Sequence, residues 1–243
     1  MNFGVFMNLY KKNIIVTGGT SGIGLELVRI LAKNNKVIVI SKRGDLPDDL
    51  INSQYSIQLY HTDLAKKAEI ESVVDQIQKK YSLIDVLINN AAIQNTPEFL
   101  SDDFNYDLIQ TEIDVNFTAV CHLTYLVLPM LLQAKRGNII NINTGLAIAP
   151  KQSSAIYCAT KSALDSLSKS LSYQLEDTNV DVSQVFLPLV DTPMTFGRGE
   201  NKLRAEDVAS YIVQGTKDIG KVKLLRLINY LVPSLAQRIM RSR

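Results

Sequence analysis

Two residues of the sequence, Tyr157 and Lys161, have the types and spacing of a proton-transfer pair. Side chains four residues apart lie on one face of a helix, so the lysine ammonium would sit beside the phenol and favour its ionised form. Most Tyr-x-x-x-Lys pairs are ordinary solvated helix faces, and the spacing alone does not separate a catalytic pair from such a surface. The pair therefore needs support from another part of the chain.

A glycine-rich segment near the N-terminus provides that support. Gly18, Gly22 and Gly24 follow the apolar run 13–16 and precede a stretch with helical periodicity at 25–31. A strand, a glycine-rich turn and a helix in this order let the backbone approach a pyrophosphate, whose charge then rests at the helix N-terminus. The first gap between the glycines is longer than in the usual dinucleotide fingerprint, so an ordinary glycine-rich turn is the alternative.

The composition is typical of a soluble protein. The chain has 243 residues, of which 46% are hydrophobic and 21% charged, and this length suits one domain with a substantial core. The longest apolar stretch, 123–132, is too short for a membrane span and contains a proline, so we interpret it as a buried helix. Residues 1–7 lack the basic region of a secretory signal, and we expect a cytoplasmic protein.

The cysteines and histidines do not indicate a metal site. Cys121 and Cys158 each fall within a predicted helix, which favours reduced packing residues over a disulfide. His61 and His122 have no cysteine or carboxylate at ligand spacing along the chain. The sequence therefore predicts no bound metal.

Strand-like and helix-like segments alternate along the chain. The predicted strands are 13–16, 37–40, 57–60, 84–88, 138–142 and 180–186, and the predicted helices include 68–81, 104–132 and 154–174. This order predicts a single α/β domain with a doubly wound, Rossmann-type parallel sheet and helices on both faces. Such sheets bind ligands at the carboxyl ends of their strands, where the motifs of this chain lie.

The chain resembles the single-domain short-chain dehydrogenase/reductase family over residues 10–215. The motifs that carry the resemblance, in chain order, are Thr17 to Gly24, Asp63–Leu64, Asn89 to Ala92, Asn116, Tyr157 with Lys161, and Pro188 to Thr192. The segment 143–161 is most similar to the subgroup typified by the oxidoreductase associated with D-alanyl-lipoteichoic acid operons. The resemblance implies an NAD(P)-dependent oxidoreductase that acts on a carbonyl/alcohol pair.

The resemblance also implies roles for single residues. Tyr157 would be the general acid/base, Lys161 would lower its pKa and hold the cofactor ribose, and Asn116 would anchor a water in a proton relay. Thr144 would orient the substrate carbonyl where the family usually has serine. The residues expected to contact the cofactor are Gly18, Thr20, Ser21, Gly22, Ile23, Gly24, Ser41, Lys42, Arg43, Asp63, Leu64, Asn90, Ala91, Ala92, Tyr157, Lys161, Val190 and Thr192.

Three positions depart from the family pattern. Thr144 keeps the hydroxyl of serine, but its extra methyl restricts χ1 and narrows the pocket. Ala92 and Leu189 stand where the family usually has glycine, and a positive φ at either position would cost about 1 kcal/mol. A catalytically silent dinucleotide-binding redox sensor is therefore the alternative to an enzyme.

The end of the second strand predicts which cofactor binds. NAD recognition needs a carboxylate there to accept from the ribose hydroxyls, whereas a 2′-phosphate needs cations. Ser41 occupies that position and Lys42 and Arg43 follow it, so we predict NADP(H), with NAD(H) as the alternative. A solvated turn would show the same pattern, and Asp45 lies close enough to oppose a phosphate. Asp63 would accept from the adenine amino group, as the resemblance implies.

The C-terminal region differs from the rest of the chain. Residues 221–243 contain six basic side chains and no acidic one, so this tail carries +6 and residues 1–220, the expected catalytic domain, carry −4. The apolar residues expected on one face of its first helix are Leu224, Leu227, Ile228 and Leu231. Three roles fit a basic amphipathic tail. It lies on an anionic bilayer, it covers a hydrophobic substrate, or it packs on its own subunit or on a neighbouring one.

The remaining expectations concern assembly and the region after the sixth strand. We expect a homodimer or homotetramer formed through the two long helices, a small carbonyl or alcohol substrate, and no nucleic-acid partner. Residues 215–220 lead almost directly into the tail, so the family's usual seventh strand should be short or absent. Residues 191–204 are expected to form a mobile lid over the substrate.

Overall fold

A parallel sheet forms the centre of the molecule. The computed structural model describes residues 9–96, 98–102 and 104–241; the N-terminal segment discussed as a signal and Arg243 of the tail lie outside these ranges. The strands are β1 Asn13–Thr17, β2 Lys36–Ser41, β3 Ile57–His61, β4 Val86–Asn89, β5 Gly137–Thr144 and β6 Val180–Leu187. Their order, β3-β2-β1-β4-β5-β6, confirms the predicted doubly wound sheet and places the topological switch between β1 and β4.

Helices cover both faces of this sheet. They are α1 Gly22–Leu31, α2 Asp48–Ile51, α3 Lys67–Lys80, α4 Tyr106–Ile113, α5 Ala119–Leu132, α6 Ala155–Gln174, α7 Ala205–Val213, α8 Val222–Leu231 and α9 Pro233–Arg241. Successive strand side chains point to opposite faces, so Ile14 and Val16 of β1 pack with α1 and α7, whereas Ile15 packs with α3 and α5. Because both faces are covered, the central strands β1, β2 and β4 are nearly continuous apolar runs, as in other parallel sheets.

The long helical segment 106–132 is interrupted by a π turn at Asp114–Thr118. By length and composition alone this segment could cross a membrane. In the structure it is a core helix, because Leu123, Val127 and Leu131 are at most 1% exposed and pack against the sheet and α3. The interpretation of residues 123–132 as a buried helix is therefore confirmed.

The region after β6 differs most from the predicted elements. A small parallel pair, β7 Val190–Asp191 and β8 Leu203–Arg204, brackets the segment expected to be a lid. Beyond it, the seventh strand is reduced to one isolated parallel bridge between Phe186 and Asp218. The expectation of a short or absent last strand is confirmed for the described residues.

The tail forms two helices, and the predicted apolar face of the first helix lies on the side away from the body of the protein. Val222 is buried, and Leu225 and Asn229 face the body of the protein, whereas Leu224 and Leu227 point outward. Leu224, Leu227, Ile228 and Leu231 share one face of α8, as their spacing predicts; Ile228 is partly exposed and the other three are exposed. Apolar side chains therefore occur on both sides of α8.

Candidate active site

A cavity of about 600 Å³ opens at the carboxyl ends of β1, β2, β4, β5 and β6. All residues predicted to contact the cofactor line it, and so does Thr144. Asn116 does not line the cavity, because it is fully buried behind the loop that follows β4. One cavity therefore brings together the motifs that the sequence distributes over most of its length.

The glycine-rich turn forms a cradle with no room for side chains. Gly18 has φ of 67°, and a Cβ atom at Gly24 would overlap the carbonyl oxygen of Gly18. Ser21 precedes α1 in an extended conformation and makes no side-chain cap, and no acidic residue lies in the first turn. The first N–H groups of α1 are therefore available to an anion, and the turn fits a pyrophosphate.

Thr17 and Asn90 join the ends of β1 and β4 beneath this cradle. The Thr17 hydroxyl accepts from the backbone N–H groups of Asn90 and Ala91 at 3.0 and 2.9 Å, and the Asn90 amide donates to the Thr17 carbonyl at 2.9 Å. Neither Ala92 nor Leu189 has a positive φ, so the expected backbone cost at these two positions does not arise. The departures from glycine leave the cradle intact.

The turn after β2 contains one paired cation and one unpaired cation. Lys42 Nζ lies 2.7 Å from Asp63 Oδ2, whereas the exposed Arg43 guanidinium has no ion pair among the described residues. Burial acts to raise the pKa of Asp63, but the hydrogen bonds from Lys42 and the Ala65 N–H outweigh it and the pKa is lowered. The positive charge available to a phosphate at this turn is therefore mainly that of Arg43.

Hydroxyl groups hold this turn against the cradle. Thr20 Oγ1 lies 2.7 Å from Ser41 Oγ and donates to the carbonyl of Arg43 at 2.8 Å. Asp45, which the sequence suggested could oppose a phosphate at this turn, has its carboxylate 3.4 Å from His61 Nε2. The backbone position of Arg43 is therefore fixed by the residues that would surround the ribose.

Tyr157 and Lys161 lie one turn apart on α6, as predicted, but the lysine does not act on the phenol as expected. Lys161 Nζ donates to the carbonyl of Ile142 at 2.9 Å and lies 5.8 Å from the centroid of the Tyr157 ring. Burial lowers the pKa of Lys161 to about 8. Burial, followed by the negative charge of Glu112, raises the pKa of Tyr157 above its ordinary value. Both effects favour the neutral phenol, which is the form that can donate a proton.

Thr144 ends β5 at the wall of the cavity. Its hydroxyl accepts from the Leu146 N–H at 3.2 Å and donates to the carbonyl of Leu187 at 3.4 Å. These two bonds join the end of β5 to the end of β6 and cap the 3₁₀ turn Gly145–Ala147. The hydroxyl thus occupies a defined position between the two strands that border the substrate side.

Asn116 holds the loop after β4 from behind. Its side chain accepts from the Ile93 N–H at 2.9 Å and donates to the Ile93 carbonyl at 2.8 Å. It lies in the π turn, a feature that often marks functional sites because it shifts the helical hydrogen-bond register. Ile93 therefore occupies the side chain of Asn116, and the anchoring of a water by this residue stays a prediction.

A polar cluster behind Tyr157 was not predicted from the sequence. Glu112 is fully buried one turn before Asn116; its Oε2 accepts from the Asn95 N–H at 2.9 Å, and its Oε1 has no partner among the described residues. Burial raises the pKa of this carboxyl. A glutamate four residues before Asn116 on the same helix face was the signal available in the sequence.

Two long-range contacts complete the cluster. Arg198, from the segment between β7 and β8, donates to the side-chain and backbone oxygens of Gln94, and Gln94 donates to Ser154 Oγ at 2.8 Å. The expected lid is therefore attached to the loop after β4 in this structure. Its mobility stays a prediction.

Metal-ligand side chains do not converge in the part of the chain that the structure describes. No group of three or more histidine, cysteine or acidic side chains is found there. His61 and His122 each lie near one carboxylate, from Asp45 and Glu71 respectively, which the spacing along the chain did not indicate.

Comparisons with known proteins agree with this geometry. The family model described as short chain dehydrogenase matches residues 12–203. The chain is 31% identical over 225 residues to the uncharacterized oxidoreductase DltE of Bacillus subtilis (strain 168), covering 90% of this chain and 89% of that protein. It is also 31% identical over 208 residues to an uncharacterized oxidoreductase of Staphylococcus epidermidis, covering 84% of this chain and 90% of the relative.

Solved structures share the fold. A short chain dehydrogenase from Burkholderia cenocepacia J2315, in complex with NADP, superposes with a TM-score of 0.85 at 18% identity, covering 98% of this chain and all (100%) of that chain. A 3-ketoacyl-(acyl-carrier-protein) reductase from Brucella melitensis, complexed with NADH, gives a TM-score of 0.74 at 21% identity, covering 84% and 90%. Together with the family match, these results show that the chain belongs to the short-chain dehydrogenase family, close to the DltE subgroup, and is an NAD(P)-dependent oxidoreductase.

Proposed function

We propose that the protein interconverts a carbonyl compound and the corresponding secondary alcohol with NADP(H), using Tyr157 as the general acid/base. The observation that carries the proposal is the position of Tyr157, Lys161 and Thr144 in the same cavity as the glycine cradle. When bound, the nicotinamide would supply or accept the hydride. The chain itself would bind the cofactor, orient the carbonyl and move the proton.

Tyr157 would protonate the substrate oxygen as hydride reaches the carbonyl carbon. A bare alkoxide is too basic to form in a dry site, so the neutral phenol that burial favours is the form needed in the reduction direction. The phenolate would regain a proton through Lys161, whose pKa of about 8 lets it exchange protons near neutral pH. In the oxidation direction the same steps run in reverse.

Thr144 would orient the carbonyl oxygen. In this structure its hydroxyl donates to the Leu187 carbonyl at 3.4 Å, a long bond that a rotation of the hydroxyl hydrogen exchanges for one to a substrate oxygen. A donor aimed at developing charge typically contributes about 10²- to 10³-fold in rate.

The preference for NADP(H) rests on Arg43. Its guanidinium has no ion pair among the described residues, and no carboxylate occupies the end of β2, where Ser41 stands. Lys42 supports the preference less than the sequence suggested, because Asp63 balances its charge. Structural neighbours are described with NADP and with NADH, which supports a nicotinamide cofactor without choosing between the two.

A panel of carbonyl compounds, assayed by the loss of NADPH absorbance, tests the proposal. Tyr157→Phe should abolish turnover and leave NADPH affinity within about 3-fold, because the ring stays and only the transferable proton is lost. Tyr173→Phe, at an exposed tyrosine of the same helix, is the matched control and should retain activity. Full activity in Tyr157→Phe would overturn the mechanism; NADPH binding without turnover of any compound would favour the redox sensor.

We also propose that the protein is a cytoplasmic homodimer or homotetramer assembled through α4–α5 and α6. The exposed Tyr106, Tyr125 and Tyr173 of these helices support the assembly, since large aromatic side chains are enriched at interfaces. Light scattering on the purified protein, with Tyr125→Glu and Tyr173→Glu as disrupting variants, tests it. A monomer at every concentration would contradict it.

A further inference from the structure

The two tail helices present an apolar surface to solvent. We call this the tail surface and define it by Leu224, Leu227, Tyr230, Leu231 and Leu235, whose exposed fractions run from 45% to 83%. The four residues on α8 lie on one side of that helix, and Leu235 is an exposed apolar residue of the next helix, α9. Ordinary globular surfaces rarely group this many exposed apolar side chains.

The opposite side of α8 is fixed to the protein by specific contacts. The Arg226 guanidinium donates to Asp218 at 3.0 Å and stacks over the Phe186 ring at 4.5 Å. Asn229 donates to the Ile148 carbonyl at 3.2 Å. The orientation of α8 is therefore set by polar and aromatic partners, and its outward face is apolar even though the helix is docked.

The tail that carries this surface has side chains of one charge sign. Residues 221–243 contain six basic side chains and no acidic one. Arg226 is paired with Asp218, whereas Lys221, Lys223, Arg238 and Arg241 are exposed and make no ion pair within the described ranges. Apolar side chains flanked by unpaired cations complement a layer of anionic headgroups over acyl chains.

The same charges argue against a second copy of the tail as the partner. A symmetric dimer brings the same patch of both subunits together, so the cations of one tail would face those of the other. Like charges placed together cost free energy, whereas an anionic lipid surface attracts each of them.

We propose that the tail surface docks the protein on anionic membranes and that the enzyme takes an apolar carbonyl or alcohol from the bilayer. The substrate class rests on the proposed function and on the position of α8. Leu225 and Val222 of α8 pack on Gly145, which directly follows Thr144 at the wall of the cavity. The helix that carries the docking surface thus borders the substrate side of the site.

Sedimentation of the full-length protein with vesicles tests the docking. Binding should occur with equal parts of phosphatidylglycerol and phosphatidylcholine, be absent with phosphatidylcholine alone, and be lost at about 1 M salt, where the Debye length is ~3 Å. An intact protein that does not sediment with the anionic vesicles at low salt would overturn the proposal.

Two sets of variants separate the contributions. Lys223→Gln with Arg238→Gln and Arg241→Gln should weaken binding about 100-fold, from about 5-fold per charge. Leu227→Ser with Leu231→Ser should weaken it at least 10-fold through lost apolar insertion. Ile51→Ser, at an exposed apolar residue on α2, is the matched control and should bind as the wild type does.

Melting curves and light scattering keep the variants interpretable. All of them should melt within about 3 °C of the wild type, since the substituted side chains are exposed. Variants that bind vesicles normally but lose their oligomeric state would overturn the proposal, because the tail surface would then be a subunit interface.

Activity with vesicles tests the substrate class separately. Anionic vesicles should raise the rate with a long-chain ketone dissolved in the bilayer and leave the rate with a short, water-soluble ketone unchanged. The variants that replace Lys223, Arg238 and Arg241 should lose the rate increase with the long-chain ketone. Their rate with the short ketone should equal that of the wild type. Vesicle binding without turnover of any carbonyl would overturn the proposed function and leave docking intact, whereas equal rates on both ketones would overturn the substrate class.

Discussion

The half of the cavity that faces the nucleotide and the half that faces the substrate are held together by different kinds of contact. On the nucleotide side, the short side chains of Thr17, Thr20 and Ser41 bond to backbone groups of the turns that follow β4 and β2. On the substrate side, the bonds are made by the long side chains of Arg198, which donates to Gln94, and Arg226, which donates to Asp218.

This difference indicates which half is preformed. Short hydroxyl side chains lose little rotamer entropy when they are ordered, whereas arginine loses about 2 kcal/mol. Contacts made by long side chains are therefore easier to break and remake. We expect the nucleotide side to keep its shape without a ligand and the substrate side to rearrange when a ligand binds.

The largest expected effect is on the nucleotide side and concerns Lys42 and Arg43. Replacing both with Ala should weaken NADPH by about 2–4 kcal/mol and leave NADH nearly unchanged, because only NADPH carries the 2′-phosphate. Arg43→Ala alone should account for most of this loss, since Asp63 neutralises Lys42. Direct titration of both cofactors measures it, with Lys36→Ala at the opposite end of β2 as control. Equal losses for both cofactors would contradict the assignment.

A second prediction concerns Lys161, which lies between the two halves. Its folded pKa of about 8 is below the ordinary 10.5, so the unfolded state binds more protons between these values and stability should rise with pH across that window. Below pH 8 the burial of Lys161 therefore lowers the free energy of unfolding by about 3 kcal/mol relative to its value above pH 10.5. Lys161→Met should flatten this rise in urea unfolding curves from pH 7.5 to 10.5. The exposed Lys135→Met should keep the wild-type slope.

Thr144 tests whether the substrate side needs its hydroxyl. Thr144→Ala should lower kcat/KM about 100-fold through loss of one oriented donor, while Thr144→Ser should stay within about 3-fold. Cofactor affinity should be unchanged in both variants. If Thr144→Ala leaves kcat/KM unchanged for every active substrate, another group must orient the substrate carbonyl.

The smallest effect is expected at Glu112. Because burial raises its folded pKa, its protonated form stabilises the protein below pH 4.5, and that contribution is lost as pH rises through the folded pKa. Glu112→Gln cannot ionise and should therefore gain stability relative to the wild type as pH rises from 4.5 to 7. Paired unfolding curves measure the difference, with the exposed Glu176→Gln as control. Parallel pH curves for Glu112→Gln and the wild type would contradict the prediction.

The fold was predictable where local patterns are strong. The valine- and isoleucine-rich strands and the glycine-rich turn specify β1, α1 and the sheet without help from distant residues. The helix α2 was missed because a four-residue element that begins with two aspartates has no periodicity. Ala205–Val213 does carry a helical pattern, with Val208, Ala209 and Ile212 buried, and it was not assigned.

The site was predictable residue by residue but not in its pairings. Motif positions indicated which side chains line the cavity, because most of them follow a strand whose end faces it, and Tyr157 and Lys161 share one face of α6. The Lys42–Asp63 pair depends on β2 and β3 lying side by side, with Ser41 opposite His61. The contact of Arg198 with Gln94 joins residues 104 positions apart, and no local pattern encodes such a contact.

Because the seventh strand is reduced to a single bridge, some backbone N–H groups of β6 have no neighbouring strand to bond in the described part of the chain. The N–H of Phe186 bonds outward to the Lys217 carbonyl at 2.7 Å, so the N–H groups of Val182 and Gln184 point to the same side. No described strand pairs with that side beyond the single bridge. Amide hydrogen exchange along β6 should therefore alternate, fast at Val182 and Gln184 and slow at Ser183 and Val185, which marks the true edge of the sheet.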